Sequence, residues 1–268
     1  MKEISSKDNK IIKDMAALSE KKRRDERGQF IIEGPNLVRE ALNEGIRLVS
    51  VFCLAGSETP EILELLQSAE LDGVPAYTVS RDAFLRMTQT DTPQGILAAA
   101  EKKKFTEKEF FGTDGSNVLV LDRIQDPGNM GTLLRTADAA GFTGVMLIKG
   151  CVDPFSPKVV RAAAGSLFRM PLMVGVETGK AAELLKSRGK TAMAASMDAA
   201  SAYYDEDLSE NFALIIGNEG NGVSEELMSL TKKIAIPMAG RTESLNAALA
   251  GGIIMFEALR QKSLKSRM

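Results

Sequence analysis

The sequence predicts an α/β fold in two domains, because short apolar runs and amphipathic stretches alternate along its whole length. The apolar runs are mostly continuous, as expected of strands buried on both faces of a largely parallel sheet. The alternation also stops once, at the charged and aperiodic stretch EKKKFTEKEFFGTDGSN, and then restarts. In the first half, strands are expected at Phe30–Glu33, Leu48–Leu54, Ala76–Ser80 and Gly95–Ala100. Helices are expected around them over 10–24, 35–44, 60–69 and 81–87. After the interruption a strand is expected at Val118–Asp122, a helix from Gly128, a strand at Gly144–Lys149 and a helix near 158–168. A strand and a helix follow to about 188, then strands at Thr191–Ser196, Ala213–Gly217 and Lys233–Pro237, and a last helix over 244–262. The domains are drawn at 1–104 and 118–268, with 105–117 as linker.

Composition narrows the chemistry. At 44% hydrophobic and 26% charged, the 268-residue chain has the profile of a soluble globular protein. No apolar run approaches the ~20 residues that span a bilayer, and MKEISSKDNKII has no apolar signal core. Cys53 and Cys151 form no metal or disulfide pattern and read as reduced thiols, so a cytoplasmic location is expected. Histidine is absent, which removes imidazole bases, Ser-His triads and most zinc sites; no metal is expected. With a net charge of −2 there is no global basic field, so any contact with nucleic acid must be local. One basic run, Lys21-Lys22-Arg23-Arg24 with Arg27, is interrupted by Asp25 and Glu26. By itself it reads more readily as a solvated helix end than as a phosphate patch.

Three segments carry polar groups at strand ends. In LDRIQDPGNMGTLLRTADAAG, Asp126 is a plausible N-cap with Pro127 at the first helical position. Met130, Leu133, Leu134 and Ala137 form the buried stripe, while Asn129 and Arg135 lie off it. In ALIIGNEGNGVS a buried strand runs into a glycine-rich loop around Asn218 and Glu219. Its spacing fits neither a dinucleotide fingerprint nor a Walker loop, and Glu219 would repel phosphate, so a nucleoside without phosphates suits it better. In IAIPMAGRTESLNAALAGG a strand ending at Pro237 leads to a helix with Ser244 and Asn246 in its first turn. Leu245, Leu249, Gly252, Ile253 and Phe256 share one face of that helix, and its small residues permit close packing on the sheet or on another subunit. Taken singly, the first segment reads more readily as an ordinary capped surface helix, the second loop is weak evidence, and in the third simple capping explains Ser244 better than Asn246.

Together the three resemble the signature motifs of the SpoU/TrmH family of RNA ribose methyltransferases, in the order DPGNMGTLLRTADAAGF, LIIGNEGNGVS and IPMAGRTESLNAALAGGI. The N-terminal GQFIIEGPNLVREAL resembles the ribosomal-protein-like substrate-binding module of such enzymes, a layout shared with thiostrepton-resistance methyltransferases. The AALAGG after Ser-Leu-Asn departs from the bulkier residues usual there and touches packing more than chemistry. The resemblance implies a C-terminal trefoil-knotted, parallel-sheet methyltransferase domain, a smaller N-terminal RNA-binding domain, and a homodimer whose subunits share the active site.

The resemblance further implies S-adenosylmethionine held by Gly217, Asn218, Ile236, Pro237, Met238 and Leu245, and a polar catalytic set of Asn129, Arg135, Glu219, Ser244 and Asn246. The expected reaction is 2′-O-methylation of ribose in structured RNA, with large-subunit ribosomal RNA ahead of transfer RNA. Phosphate contacts are assigned to Lys21, Lys22, Arg23, Arg24 and Arg27. Because a guanidinium is a poor proton acceptor, Arg135 is expected to stabilise the forming alkoxide rather than act as base. A non-catalytic RNA-binding or ribosome-assembly protein is the competing expectation; the intact polar set argues against it.

Overall fold

A computed structural model describes every residue except Asp91, Thr242, Glu243 and Met268. The chain forms two compact units, Met1–Lys103 with Asp153–Arg169, and Lys104–Val152 with Met170–Met268.

The first unit runs β1 (Lys2–Ile4), α1 (Lys10–Ala16), α2 (Lys21–Arg27), β2 (Gln29–Glu33), α3 (Pro35–Asn43), β3 (Leu48–Leu54), α4 (Pro60–Leu71), β4 (Ala76–Val79), α5 (Arg81–Met87) and β5 (Ile96–Glu101). Its sheet has the order β1-β4-β3-β5-β2; β1, β4 and β3 are parallel, and β5 is antiparallel to both its neighbours. Ile12, Met15, Leu18, Phe52, Phe84 and Leu97 centre the core. The single helix expected over 10–24 is broken. It stops at Ala16, passes through a short 3₁₀ turn, and resumes after Glu20, whose backbone is extended (φ −90°, ψ 131°). The buried Arg24 side chain stabilises the break by donating to the carbonyls of Leu18 and Ser19, 2.7 Å each, which have lost their helical partners. Strand β1, with only Ile4 buried, is too short for periodicity to announce it.

The second unit opens inside the stretch expected to be linker. Here α6 (Glu107–Phe111) starts with a capping box, Thr106 Oγ1 accepting from Glu109 N (3.2 Å) and Glu109 Oε2 from Thr106 N (2.7 Å). Phe110 and Phe111 then enter the core, which is why a charged, aperiodic segment is ordered. There follow β6 (Val118–Leu121), α7 (Pro127–Ala139) and β7 (Gly144–Ile148). Next comes an excursion that packs with the first unit and contains α8 (Pro157–Ala163). Its Phe155 and Phe168 lie 5.1 and 6.4 Å from the Phe30 ring, and its Asp153 receives Arg24 at 2.6 Å. A contiguous 118–268 span does not anticipate this.

The second unit resumes with β8 (Leu172–Val176), α9 (Thr178–Ser187), β9 (Thr191–Ala195), β10 (Phe212–Ile216), α10 (Glu225–Met228), β11 (Lys232–Ile234) and α11 (Ala247–Lys265). All six strands are parallel in the order β11-β9-β10-β6-β7-β8. The chain therefore winds one way from β6 and the other way through β9 and β10, so β6 and β10 flank a topological switch point. Open α/β sheets take ligands at the carboxyl ends of the strands beside such a switch. Helix α11 packs on α7 and β10. A Cβ on Gly251 would lie 2.6 Å from Leu133 Cδ2, so a larger residue here would have to displace Leu133 for α11 to sit this close. Its buried face is Ala248, Gly251, Ile254, Met255 and Ala258. Leu249 and Phe256, on the apolar face expected from the sequence, are instead about half exposed, at 54% and 50%.

Candidate active site

The site is assembled from the strand-end loops at the switch point. Beyond β6, Asp122 is fully buried, and its Oδ2 accepts the N–H of Ser224 at 2.7 Å. Arg123 adopts a left-handed backbone (φ 57°), uncommon for a side chain of this size, and turns its carbonyl to Asn218 Nδ2 at 2.9 Å. Two residues after β6 thus clasp both ends of the 218–224 loop. Asp126 caps α7 as expected, taking the N–H of Asn129 at 2.7 Å.

The loop after β10 is closed on itself. Asn218 and Gly222 exchange both backbone hydrogen bonds at 2.9 Å, and Asn218 Oδ1 accepts the N–H groups of Gly220 and Asn221 at 3.0 Å each. Gly217 has no room for a side chain; a Cβ would lie 2.2 Å from the Gly222 carbonyl carbon and from Val223 N.

Glu219 points from this loop toward α7. Its carboxylate accepts Gln125 N (3.3 Å), Asp126 N (3.2 Å) and Asn129 Nδ2 (3.0 Å). Partial burial pushes its pKa up, but hydrogen bonds from Asn129 and from backbone N–H groups at Glu219, Gln125 and Asp126 outweigh it, and the net shift is downward. Asn129 Oδ1 in turn accepts Asn246 Nδ2 at 2.8 Å, and Asn246 Oδ1 caps α11 through Ala248 N (2.9 Å) and Leu249 N (3.1 Å). One chain of hydrogen bonds, Glu219–Asn129–Asn246, therefore ties the three segments together. Every amide in it has both ends engaged, which fixes which end is oxygen.

Behind this chain lies a cavity of about 380 Å³. Gly217, Asn218, Glu219, Ile236, Met238, Ser244 and Leu245 all line it. Pro237, exposed between two wall residues, is absent from the wall, as are Asn129, Arg135 and Asn246. The sequence reading missed Ser196 and Met197, which enter from the end of β9, and Val223 and Met228 from the approach to and body of α10. A signal for Ser196 was present: it follows an apolar strand at the carboxyl edge of a parallel sheet. Apolar side chains dominate the wall, and no lysine or arginine is found among the described residues lining it.

Residues 116–256 match the profile of the SpoU rRNA Methylase family, and residues 9–98 that of the MRM3-like substrate binding domain. The chain belongs to the SpoU rRNA methylase family. It is 37% identical to the 23S rRNA (guanosine(2553)-2'-O)-methyltransferase RlmP of Bacillus subtilis, across 96% of this chain and 98% of that one. Among solved structures it superimposes on an AdoMet-bound rRNA methyltransferase from Sinorhizobium meliloti with a TM-score of 0.87, at 34% identity and 97% coverage of both chains. The SpoU methyltransferase AviRb from Streptomyces viridochromogenes gives a TM-score of 0.86 at 25% identity, covering 96% of this chain and 99% of AviRb.

In this SpoU methylase Arg135 stands apart from the chain of hydrogen bonds. It is exposed on α7 and has no ion-pair or hydrogen-bond partner among the described residues. The basic run lies in the first unit. Lys21, Lys22 and Arg23 are exposed and pair locally with Asp25 and Glu26, at 2.5, 4.0 and 2.9 Å. Arg27 holds Asp14 at 2.7 Å. Arg24 corrects the expectation: it is 3% exposed, and its donors go to Asp153, Leu18 and Ser19, so its guanidinium presents nothing to a phosphate. Burial pushes both thiols, Cys53 and Cys151, up to about 11, so neither is a nucleophile near neutrality. Among the described residues no cluster of three or more Cys, Asp or Glu side chains could hold a metal.

Proposed function

We propose that this SpoU methylase transfers a methyl group from S-adenosylmethionine to a ribose 2′-hydroxyl of large-subunit ribosomal RNA. The observation that carries the reading is the cavity at the switch point: apolar, cation-free among its described walls, and closed by a glycine loop with no phosphate cradle. A nucleoside bearing a sulfonium fits such walls, and a nucleotide does not. The Bacillus subtilis relative is a 23S rRNA 2'-O-methyltransferase and the Sinorhizobium meliloti neighbour is AdoMet-bound, in accord with this reading.

When bound, S-adenosylmethionine supplies an electrophilic methyl. Gly217, Asn218, Ile236, Met238 and Leu245 hold the nucleoside, with Pro237 lying between two of them. Ser244 orients the target nucleotide at the cavity wall. Arg135 remains cationic and stabilises the alkoxide as the hydroxyl loses its proton. Glu219, Asn129 and Asn246 hold the loops in register.

The exposed Leu249 and Phe256, seven residues apart on one face of α11, are the surface we assign to a second copy of the chain. Such a homodimer brings a free Arg135 to a site with no cation among its described lining residues. The last segment is assigned the trefoil knot of the family. Residues 1–104 are assigned to RNA selection, with Lys21, Lys22, Arg23 and Arg27 as phosphate contacts; exposed ion pairs are worth at most about 1 kcal/mol, so phosphate can compete for them.

The test is methyl transfer to 23S rRNA in vitro, with the modified nucleotide mapped by mass spectrometry. A ribose-methylated nucleotide in 23S rRNA is the expected result. Methylation of a base, or of transfer RNA alone, would overturn the assignment.

A further inference from the structure

A methionine thioether reacts with an oxidant without first losing a proton, so its susceptibility follows its exposure. The chain has 13 methionines. Among the described ones three are exposed, Met1 at 57%, Met197 at 73% and Met238 at 39%, and the rest are buried or half-buried. Two of these three line one cavity, that at the switch point. They reach it from neighbouring strands. β9 and β11 pair in parallel as far as Ala195 and Ile234, Ser196 N donates to the Ile234 carbonyl at 2.9 Å, and the chains run on to Met197 and Met238. Met228, a third methionine of the wall, is half-buried against the core of the second unit and is shielded there. A flexible, polarizable thioether on an apolar wall adapts well to a nucleoside ring. Its sulfoxide is polar and chiral, and its oxygen must be desolvated when a nucleoside closes over it. The two cysteines are poor rivals for an oxidant, since burial pushes both thiols up to about 11 and leaves little thiolate near neutrality.

We propose that Met197 and Met238 form a reversible oxidation site, at which peroxides convert thioether to sulfoxide and so weaken cofactor binding. This rests on the cofactor assignment above. In the forward step a sulfur lone pair attacks one oxygen of hydrogen peroxide. An S–O bond forms, the O–O bond breaks, and the sulfur loses two electrons. The departing hydroxide takes the proton of the new S–O–H group and leaves as water. In the return step a dithiol, acting through a methionine sulfoxide reductase, supplies two electrons and two protons. The sulfoxide oxygen leaves as water and the dithiol becomes a disulfide. Bound cofactor covers both side chains, so the site is open to oxidant when the cavity is empty.

The test treats the full-length protein with hydrogen peroxide, removes the excess with catalase, and measures S-adenosylhomocysteine affinity by calorimetry. Peptide mass spectrometry locates the added oxygen. Met197 and Met238 should be oxidised ahead of the buried methionines, with affinity falling at least fivefold and recovering after methionine sulfoxide reductase and dithiol. Saturating S-adenosylmethionine, a sulfonium with no thioether to oxidise, should slow oxidation of both while leaving that of Met1 unchanged. The Met197→Leu/Met238→Leu protein, compared with itself before peroxide, should lose less than twofold. A fall of less than fivefold in the parent, a loss that the reductase does not repair, or an equal loss in the double variant overturns the inference while the cofactor assignment stands. If the untreated protein does not bind S-adenosylhomocysteine, both fall.

Discussion

Single side chains in this protein divide into those that hold and those left free. Arg135 is free, so its replacement should leave the fold and the cavity intact. Arg135→Ala is expected to reduce turnover by 10²-fold or more, the order seen when one preorganised charge-stabilising donor is removed, with S-adenosylhomocysteine affinity unchanged by calorimetry. Near-normal turnover would remove Arg135 from the mechanism. Arg24 is the opposite case. Arg24→Ala leaves Asp153 without its ion-pair partner and two carbonyls without donors, and should cost roughly 3–5 kcal/mol of stability in denaturant unfolding. Salt dependence of RNA binding should be unaffected by that variant; a reduced slope at preserved stability would return Arg24 to the RNA surface. Charge patterning could not separate the two arginines. Arg24 sits among exposed cations of the same helix, and the carboxylate that claims it lies 129 residues away. Glu219 was found through the family motif, but its role as a clamp on α7 became visible only when Gln125 and Asp126 offered their N–H groups.

At the level of elements, the strands that pair in the sheet were legible because a short, continuous apolar run bounded by turn residues can bury all its side chains only when the sheet is covered on both faces. Strand β3 has the expected bounds, and β9 and β10 fall within one residue of them. Ends and irregular pieces were not legible. The strand expected to reach Pro237 stops at Ile234, and the helix expected from Ser244 starts at Ala247, because Asn246 is the N-cap. Of these residues Ile236, Ser244 and Leu245 line the cavity instead, and tertiary contacts there override periodicity. The closed 218–224 loop leads to a prediction of its own. Gly217→Ala would drive a methyl into the backbone of Gly222 and Val223, so the loop must open. We expect S-adenosylhomocysteine affinity to fall at least tenfold while the helical circular dichroism is retained; binding within twofold of the parent would show that the loop yields freely. The α11 face permits a matching test. Phe256→Glu is expected to convert a dimer to a monomer in sedimentation, with loss of turnover, whereas an unchanged mass would place the subunit contact elsewhere.

For the whole molecule, pH reports on the chain that joins the three segments. The Glu219 pKa is lowered from its ordinary 4.5 on folding, so ionised Glu219 contributes stability above that value and loses it as pH falls through the lower folded value. Cofactor affinity should therefore be flat from neutrality down to about pH 5 and decline below 4.5, and Glu219→Gln should be weak at every pH. A titration already falling at pH 6 would show that another group controls the loop.

The detour of Asp153–Arg169 into the first unit bears on how the protein can be dissected. A fragment starting at residue 104 would carry Phe155, Val160 and Phe168 as greasy orphans, since their cover is encoded upstream. Loss of function in such a fragment would report on stickiness as much as on RNA recognition. A usable catalytic half must splice Val152 to Met170 through a short polar bridge, and the upstream half must be supplied with the excised piece as a peptide.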